Sequence, residues 1–344
     1  MPPDSLAAPP LRRASLIAQI APAWREPLAA LAAAAALMML VTRREWGEMA
    51  YQWWHIETYS HIVLVPLIIA WLVALKRAEL ARIAPQGWLP GLGIVGAGLL
   101  LWLFGRASGI NLVAHAGAVG ALQGVVLALL GPRAGLLLAL PVGMGVFLVP
   151  FGDEMIPTLQ MITARIVIAL IGWSGVAAEI DGINIYTPAG WFIVAEACSG
   201  VKFLIAMVTL AALVCCTRFV SWRRRAAFMA AAIIVPILAN GVRAWGTIYL
   251  AQFYGAETAA GFDHIIYGWV FFAIVVAVML AGAWRWFESE PEDYGWSADE
   301  AATIPLIAWA EGTAAPLPML LSLLAVLALA ASALAAVLPP LPLG

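Results

Sequence analysis

Hydrophobic runs at about residues 27–42, 60–75, 88–104, 111–130, 135–151, 200–216, 226–250, 265–284 and 317–338 restrict this chain to very few folds. A helix crossing the roughly 30 Å hydrocarbon core takes about 20 apolar residues, so the shorter runs must extend into their flanks. Charge is scarce to match: 11% of the residues are charged, against about 25% in a soluble domain. The sequence therefore predicts an all-α polytopic membrane protein with about nine transmembrane helices. Sixteen Trp suit such a chain, because indole rings settle at membrane interfaces. The net charge of −2 says nothing about nucleic acid, but no basic patch is interleaved with aromatics, so no nucleic-acid partner is expected.

Loop cations set the expected orientation. With the N-terminus inside, Arg12, Arg13, Arg25, Lys76, Arg77, Arg82, Arg133, Arg218, Arg223, Arg224, Arg225 and Arg285 are cytoplasmic. Arg43, Arg44, Arg106, Arg165, Lys202 and Arg243 fall outside or in the outer half of a helix. Val41-Thr-Arg-Arg44 follows the first run where a cleavage site would need small residues, so that run reads as a retained signal anchor. The chain divides into a cytoplasmic segment (1–26), a main transmembrane domain (27–285), an acidic cytoplasmic loop (286–316) and a last helix with its tail (317–344). Seven carboxylates lie between Glu288 and Glu311.

Residues 155–173 form a further apolar stretch, but spanning would put Gln160 and Arg165 near mid-bilayer at high cost. The expected placement is an amphipathic helix along the outer interface. Next, residues 178–186 and 190–194 flank Thr187-Pro-Ala189 and predict a short β-hairpin outside the bilayer. That hairpin delivers the chain to Glu196-Ala-Cys-Ser-Gly-Val-Lys202.

Cys198 falls where the sixth span begins. A thiol at a helix N-terminus lies in the positive end of the dipole, which favours thiolate, and Lys202 one turn later adds to that field. Ser199 and Gly200 permit a sharp turn that presents backbone N–H groups to a carbonyl. The alternative is a buried structural thiol with Ser199 as helix cap. Arg243 lies about 26 Å up a helix that starts near residue 226, with Asn240 one turn below to orient it. An intramembrane Arg marks a functional site unless it snorkels to headgroups. His264, at the outer mouth of the eighth run, exchanges protons near neutral pH or serves as a polar cap. Under one orientation all three reach the same bilayer face. His115 reads as a helix–helix hydrogen-bond partner, whereas His61 can join the site from the side. Cys215 and Cys216 read as small apolar residues. No Cys or His spacing suggests a disulfide framework or a metal site, and no cofactor is expected.

Ala197-Cys-Ser-Gly200, Pro236-x-x-x-Asn240-x-x-Arg243 and Asp263-His-x-x-Tyr267-Gly-Trp-x-Phe-Phe272 resemble the signature segments of the exosortase/archaeosortase family. Tyr59-Ser-His-x-x-Leu-Val-Pro66 is similar to its early motif, with Ile62 where the family usually has Gly. The resemblance runs from about residue 45 to 285, and the last segment looks most like exosortase A. That type often continues into a further extracytoplasmic domain; the sequence stops at Gly344, so that domain is expected to be absent, separate or trimmed away. The resemblance implies a bacterial inner-membrane cysteine transpeptidase or protease with Cys198, Arg243 and His264 as catalytic residues on the periplasmic side. Its expected substrates are membrane-anchored proteins with a C-terminal sorting signal: a Pro-Glu-Pro motif, an apolar helix and a basic tail. The acidic loop from Glu288 onward is a candidate to attract that tail. The acceptor is unspecified, and purely hydrolytic cleavage is an alternative. From a different class, a non-enzymatic transporter or assembly component for exopolysaccharide would use Arg243 and His264 as pathway residues and dispense with Cys198.

Overall fold

The computed structural model describes residues 21–255 and 268–337. Its helices are α1 (Pro22–Val41), α2 (Arg43–His55), α3 (Val65–Leu75), α4 (Arg77–Ala81), α5 (Gly91–Ser108), α6 (Asn111–Leu137) and α7 (Ala139–Met144). After α8 (Ile156–Ser174) come the strands β1 (Glu179–Asp181), β2 (Asn184–Thr187) and β3 (Gly190–Ile193). The chain continues through α9 (Val201–Arg218), α10 (Trp222–Tyr254), α11 (Gly268–Trp284), α12 (Ala298–Thr303), α13 (Pro305–Glu311) and α14 (Leu317–Val337). Proline opens several of these helices, α1 and α3 among them, where its missing N–H costs nothing.

Among the described residues, eight helices are long and apolar enough to cross a membrane, and Ala139–Leu148 and Val270–Trp284 are shorter apolar helices. The protein is an all-α polytopic membrane protein. Its tightest pairing is α5 on α6. Gly98 of α5 faces the Ala121 backbone and Gly117 of α6 faces Trp102, so close that a Cβ at either glycine would collide with the opposite main chain. Small residues drive such contacts in a bilayer, where apolar side chains gain nothing by leaving lipid. Around this pair, α1 and α14 complete one core through Ala34, Met38, Val95, Leu99, Leu324 and Ala328. A second core joins α9, α10 and α11 through Met207, Val214, Phe228 and Ala283.

Two expectations are revised in detail. The hairpin is a three-stranded antiparallel meander, with Ile180 opposite Ile185 and Ile185 opposite Phe192. Gly182, at φ 60°, makes the first turn and adds the strand that periodicity did not separate. The helix at 155–173 does not lie across the bundle; it stands along α10 in the same direction. Thr163 meets Asn240, Ile166 meets Gly241, and Val167 and Ile171 share a core with Ile248. For Gln160 the cost that argues against this arrangement is removed by a partner, since it donates to the Val194 carbonyl at 2.8 Å; Arg165 faces outward, exposed.

The helix therefore does not reverse the chain. The segment from Leu138, packed with Trp24, Leu80 and Ala301 at one end of the bundle, climbs through Met144 beside Leu72 to Gly152 beside Ile205. From there α8 continues in the same sense past Asn240. Ala139–Leu148 and Asp153–Ser174 make one ascent, so the ten apolar helices make nine traversals among the described residues. Cys198 keeps its place at the bundle end opposite the Arg223–Arg225 cluster.

Across that opposite end runs the acidic segment 286–316, tied down at many points. Glu288 accepts the backbone N–H groups of Val220 and Ser221 at 2.7 Å each, capping α10 from a distant segment. Arg218 pairs with Glu290 at 2.8 Å, Arg82 with Asp299 at 2.6 Å and Arg133 with Glu311 at 2.7 Å. Tyr294 Oη donates to the Leu72 carbonyl at 2.8 Å, and Lys76 Nζ to that of Trp296 at 3.1 Å.

Candidate active site

β3 ends at Ile193; the N–H of Val194, next in the chain, bonds the Ile183 carbonyl at 3.0 Å, and a single 3-10 turn, Glu196–Cys198, follows. Ser199 is helical, and Gly200, at φ 84°, is the residue from which α9 starts. Two constraints make glycine necessary there. The left-handed backbone disfavours any side chain, and a Cβ would fall 2.7 Å from Asn240 Cγ. The Ser199 hydroxyl accepts the Val201 N–H at 3.4 Å, so Ser199 helps to cap α9 although Gly200 is the cap position. Its own N–H donates to the Glu196 carbonyl at 3.0 Å, which removes it from the donors expected to face a substrate carbonyl.

The space that Gly200 leaves is filled by Asn240, 1% exposed on α10. Asn240 Nδ2 donates to the Cys198 carbonyl at 2.8 Å and to Thr163 Oγ1 of α8 at 3.1 Å. On its other side, Asn240 Oδ1 accepts Arg243 Nη2 at 3.5 Å, the outer limit of a hydrogen bond. One amide thus joins the cysteine turn, α8 and the arginine.

Arg243 itself is 5% exposed, and its guanidinium lies over the Phe203 ring at 5.6 Å. Phe203 stacks on Phe272 of α11 at 4.8 Å, with the rings 19° apart. Burying this cation is supported by an amide oxygen below and an aromatic face beside it. Cys198 is a free thiol of intermediate exposure. Lys202 points elsewhere: its ammonium pairs with Glu57 at 2.7 Å and also lies 5.2 Å from the Phe203 ring. Its charge is largely answered by Glu57 and does not act on the thiol alone.

His264 lies outside the described residues, as do Asp263 and Tyr267. Gly268, next in that segment, is buried, and Phe272 one turn on reaches Phe203. The early motif packs on the first turns of α9, with Tyr59, Ile62 and Val65 against Val201, Leu204 and Ile205. Ile62 is fully buried in this layer, so it fills core volume where a glycine would leave a gap. His61 Nδ1 meets the Thr58 carbonyl at 3.1 Å, and its Nε2 is buried with no partner among the described residues. None of its hydrogen bonds reaches Cys198, Asn240 or Arg243. His115 pairs with Glu48 at 3.3 Å, away from this cluster.

Thr163 is the site residue that sequence reading missed. Its signal was faint: one polar residue among many on a stretch whose partner helix lies 77 positions on. The acidic loop is the opposite case. Four of its carboxylates, Glu288, Glu290, Asp299 and Glu311, pair with this chain's own arginines.

Residues 53–281, more than half of the chain, match the family model described as transmembrane exosortase. No curated protein and no solved structure matches the chain.

Proposed function

The chain belongs to the transmembrane exosortase family, and we propose that it is a cysteine transpeptidase of bacterial inner membranes, acting at the periplasmic face on proteins with a C-terminal Pro-Glu-Pro-type sorting signal. The observation that carries this reading is the Asn240 amide, which binds the Cys198 carbonyl and the Arg243 guanidinium at once. Chemistry at a thiol needs its electrostatic partner held in register with it, and a buried amide bonded on both sides does that.

In the proposed reaction the Cys198 thiolate attacks the scissile carbonyl carbon. Arg243 stabilises the oxyanion of the tetrahedral intermediate. As the C–N bond breaks, His264 gives its proton to the departing amine, leaving an acyl thioester on Cys198. His264 then takes a proton from the acceptor nucleophile, which attacks the thioester and releases the thiolate. The entry of α11 beside Phe203 supports bringing the His264 segment to this end of the bundle. Pairing within the acidic segment gives no support to its attracting the substrate's basic tail.

The test is substrate processing in cells that depend on this chain, read as the mass shift of a tagged substrate. Cys198→Ala, Arg243→Ala and His264→Ala should each abolish the shift, and Arg243→Lys should slow it at least about tenfold, because a point charge does not replace a planar fork. Normal processing by Cys198→Ala at wild-type protein levels would end the proposal.

A further inference from the structure

A cavity of about 690 Å³ opens between α1, α5 and α14, none of which contributes to the Cys198 cluster. Its lining changes character along the bundle axis. Arg43, Arg44 and Arg106 crown it at the same end as Cys198, and Leu37, Val41 and Ala325 are among the apolar residues below. The volume lies within the range of about 300–1,000 Å³ typical of small-ligand sites.

Charge around the crown does not cancel. Arg44 pairs with Glu48 at 2.8 Å and Arg106 with Glu45 at 3.3 Å, while Arg43 is exposed and makes no ion pair among the described residues. Two carboxylates against three guanidinium groups leave one positive charge. Glu45, 1% exposed, does not line the cavity. A second observation is independent of charge: Trp102 Nε1 and Arg106 Nε are buried without an acceptor among the described residues, and both residues line the cavity. Buried donors of that kind are rare, and each calls for an explanation.

We propose that this cavity binds a bilayer phospholipid with a single net negative charge, its phosphodiester at Arg43 and Arg106 and an acyl chain along α1 and α14. The polarity runs the right way for a lipid, with cations at the level of the headgroups and apolar walls beneath. The net positive unit at the crown matches the phosphodiester's single negative one. Phosphate oxygens also supply acceptors where the protein has a surplus of donors. Such a lipid would hold α1 and α14 to the α5–α6 pair.

The experiment is native mass spectrometry of the full chain in detergent, titrated with phosphatidylglycerol, phosphatidylcholine and glycerol phosphate. Phosphatidylglycerol should bind at least about tenfold more tightly than phosphatidylcholine, and glycerol phosphate should not compete. Arg43→Gln should reduce the preference to about threefold or less, and Ser332→Trp, which fills the cavity from an exposed lining position, should remove binding. Both sites are exposed, so the variants should keep the fold. Equal binding of the two lipids, unchanged binding by Ser332→Trp, or competition by glycerol phosphate would each overturn the proposal.

Discussion

Gly200 and Asn240 were both visible in the sequence as members of spaced motifs, but the reason they belong together was not. Only the fold brings the missing side chain of one against the amide of the other. Gly200→Ala should therefore act twice. A left-handed alanine costs about 1–2 kcal/mol, and its Cβ displaces Asn240 from the Cys198 carbonyl. Processing should fall at least about tenfold while the protein still accumulates in the membrane; unaltered processing would show that the contact is not needed. Thr163→Val is the milder companion. It keeps the volume and removes one buried hydrogen bond, worth about 1 kcal/mol, so processing should slow several-fold with little change in protein level. The position of Arg243 along its helix is legible from helix rise alone, because α10 is continuous from Trp222 to Tyr254. The duties of Lys202 and Thr163 were not, since Glu57 and Asn240 lie 145 and 77 residues from them.

Among the elements, apolar runs announced the helices, and the ends were the uncertain part. α6 continues to Leu137 through a break at Gly131-Pro132, which moved the following helix from 135–151 to Ala139–Leu148. Gln160 and Arg165 argue from the sequence against a traversing α8, whereas Gln160 finds its partner in the Val194 carbonyl just after β3. Sequence periodicity registers which residues are polar and carries no information about distant groups that satisfy them. The same blindness hid the role of the acidic segment, where Glu288 serves as a detached cap for α10. Backbone N–H bonds from Ser221 and Val220, with Arg224 and Arg225 nearby, hold its carboxyl below the usual carboxylate range. A depressed folded value stabilises the protein above the unfolded value of about 4.3 and loses that contribution as pH falls through the folded one. Glu288→Ala should thus lower the melting temperature of the detergent-solubilised protein at pH 7. The gap to wild type should narrow below about pH 4; a gap that stays constant with pH would contradict the cap.

For the whole molecule, the traversals and the charge asymmetry fix which end is which relative to one another. Arg43, Arg106, Arg165, Lys202 and Arg243 lie toward the Cys198 end, and Lys76, Arg82, Arg133, Arg218 and Arg223–Arg225 toward the other. The positive-inside bias then predicts that Cys198 lies on the outer face, as the proposed function requires. With the native cysteines replaced, a cysteine at exposed Arg165 should react with a membrane-impermeant maleimide in intact spheroplasts, and one at Arg223 only after lysis. The reverse pattern would place the site on the cytoplasmic side. The central claim, that Cys198 carries the acyl group between substrate and acceptor, is tested most directly by intact-mass analysis of the purified protein mixed with a sorting-signal substrate and no acceptor. The expected adduct equals the substrate's N-terminal fragment, maps to Cys198, is released by hydroxylamine and is missing in Cys198→Ala. Substrate cleavage without such an adduct, or an adduct that persists in Cys198→Ala, would contradict it.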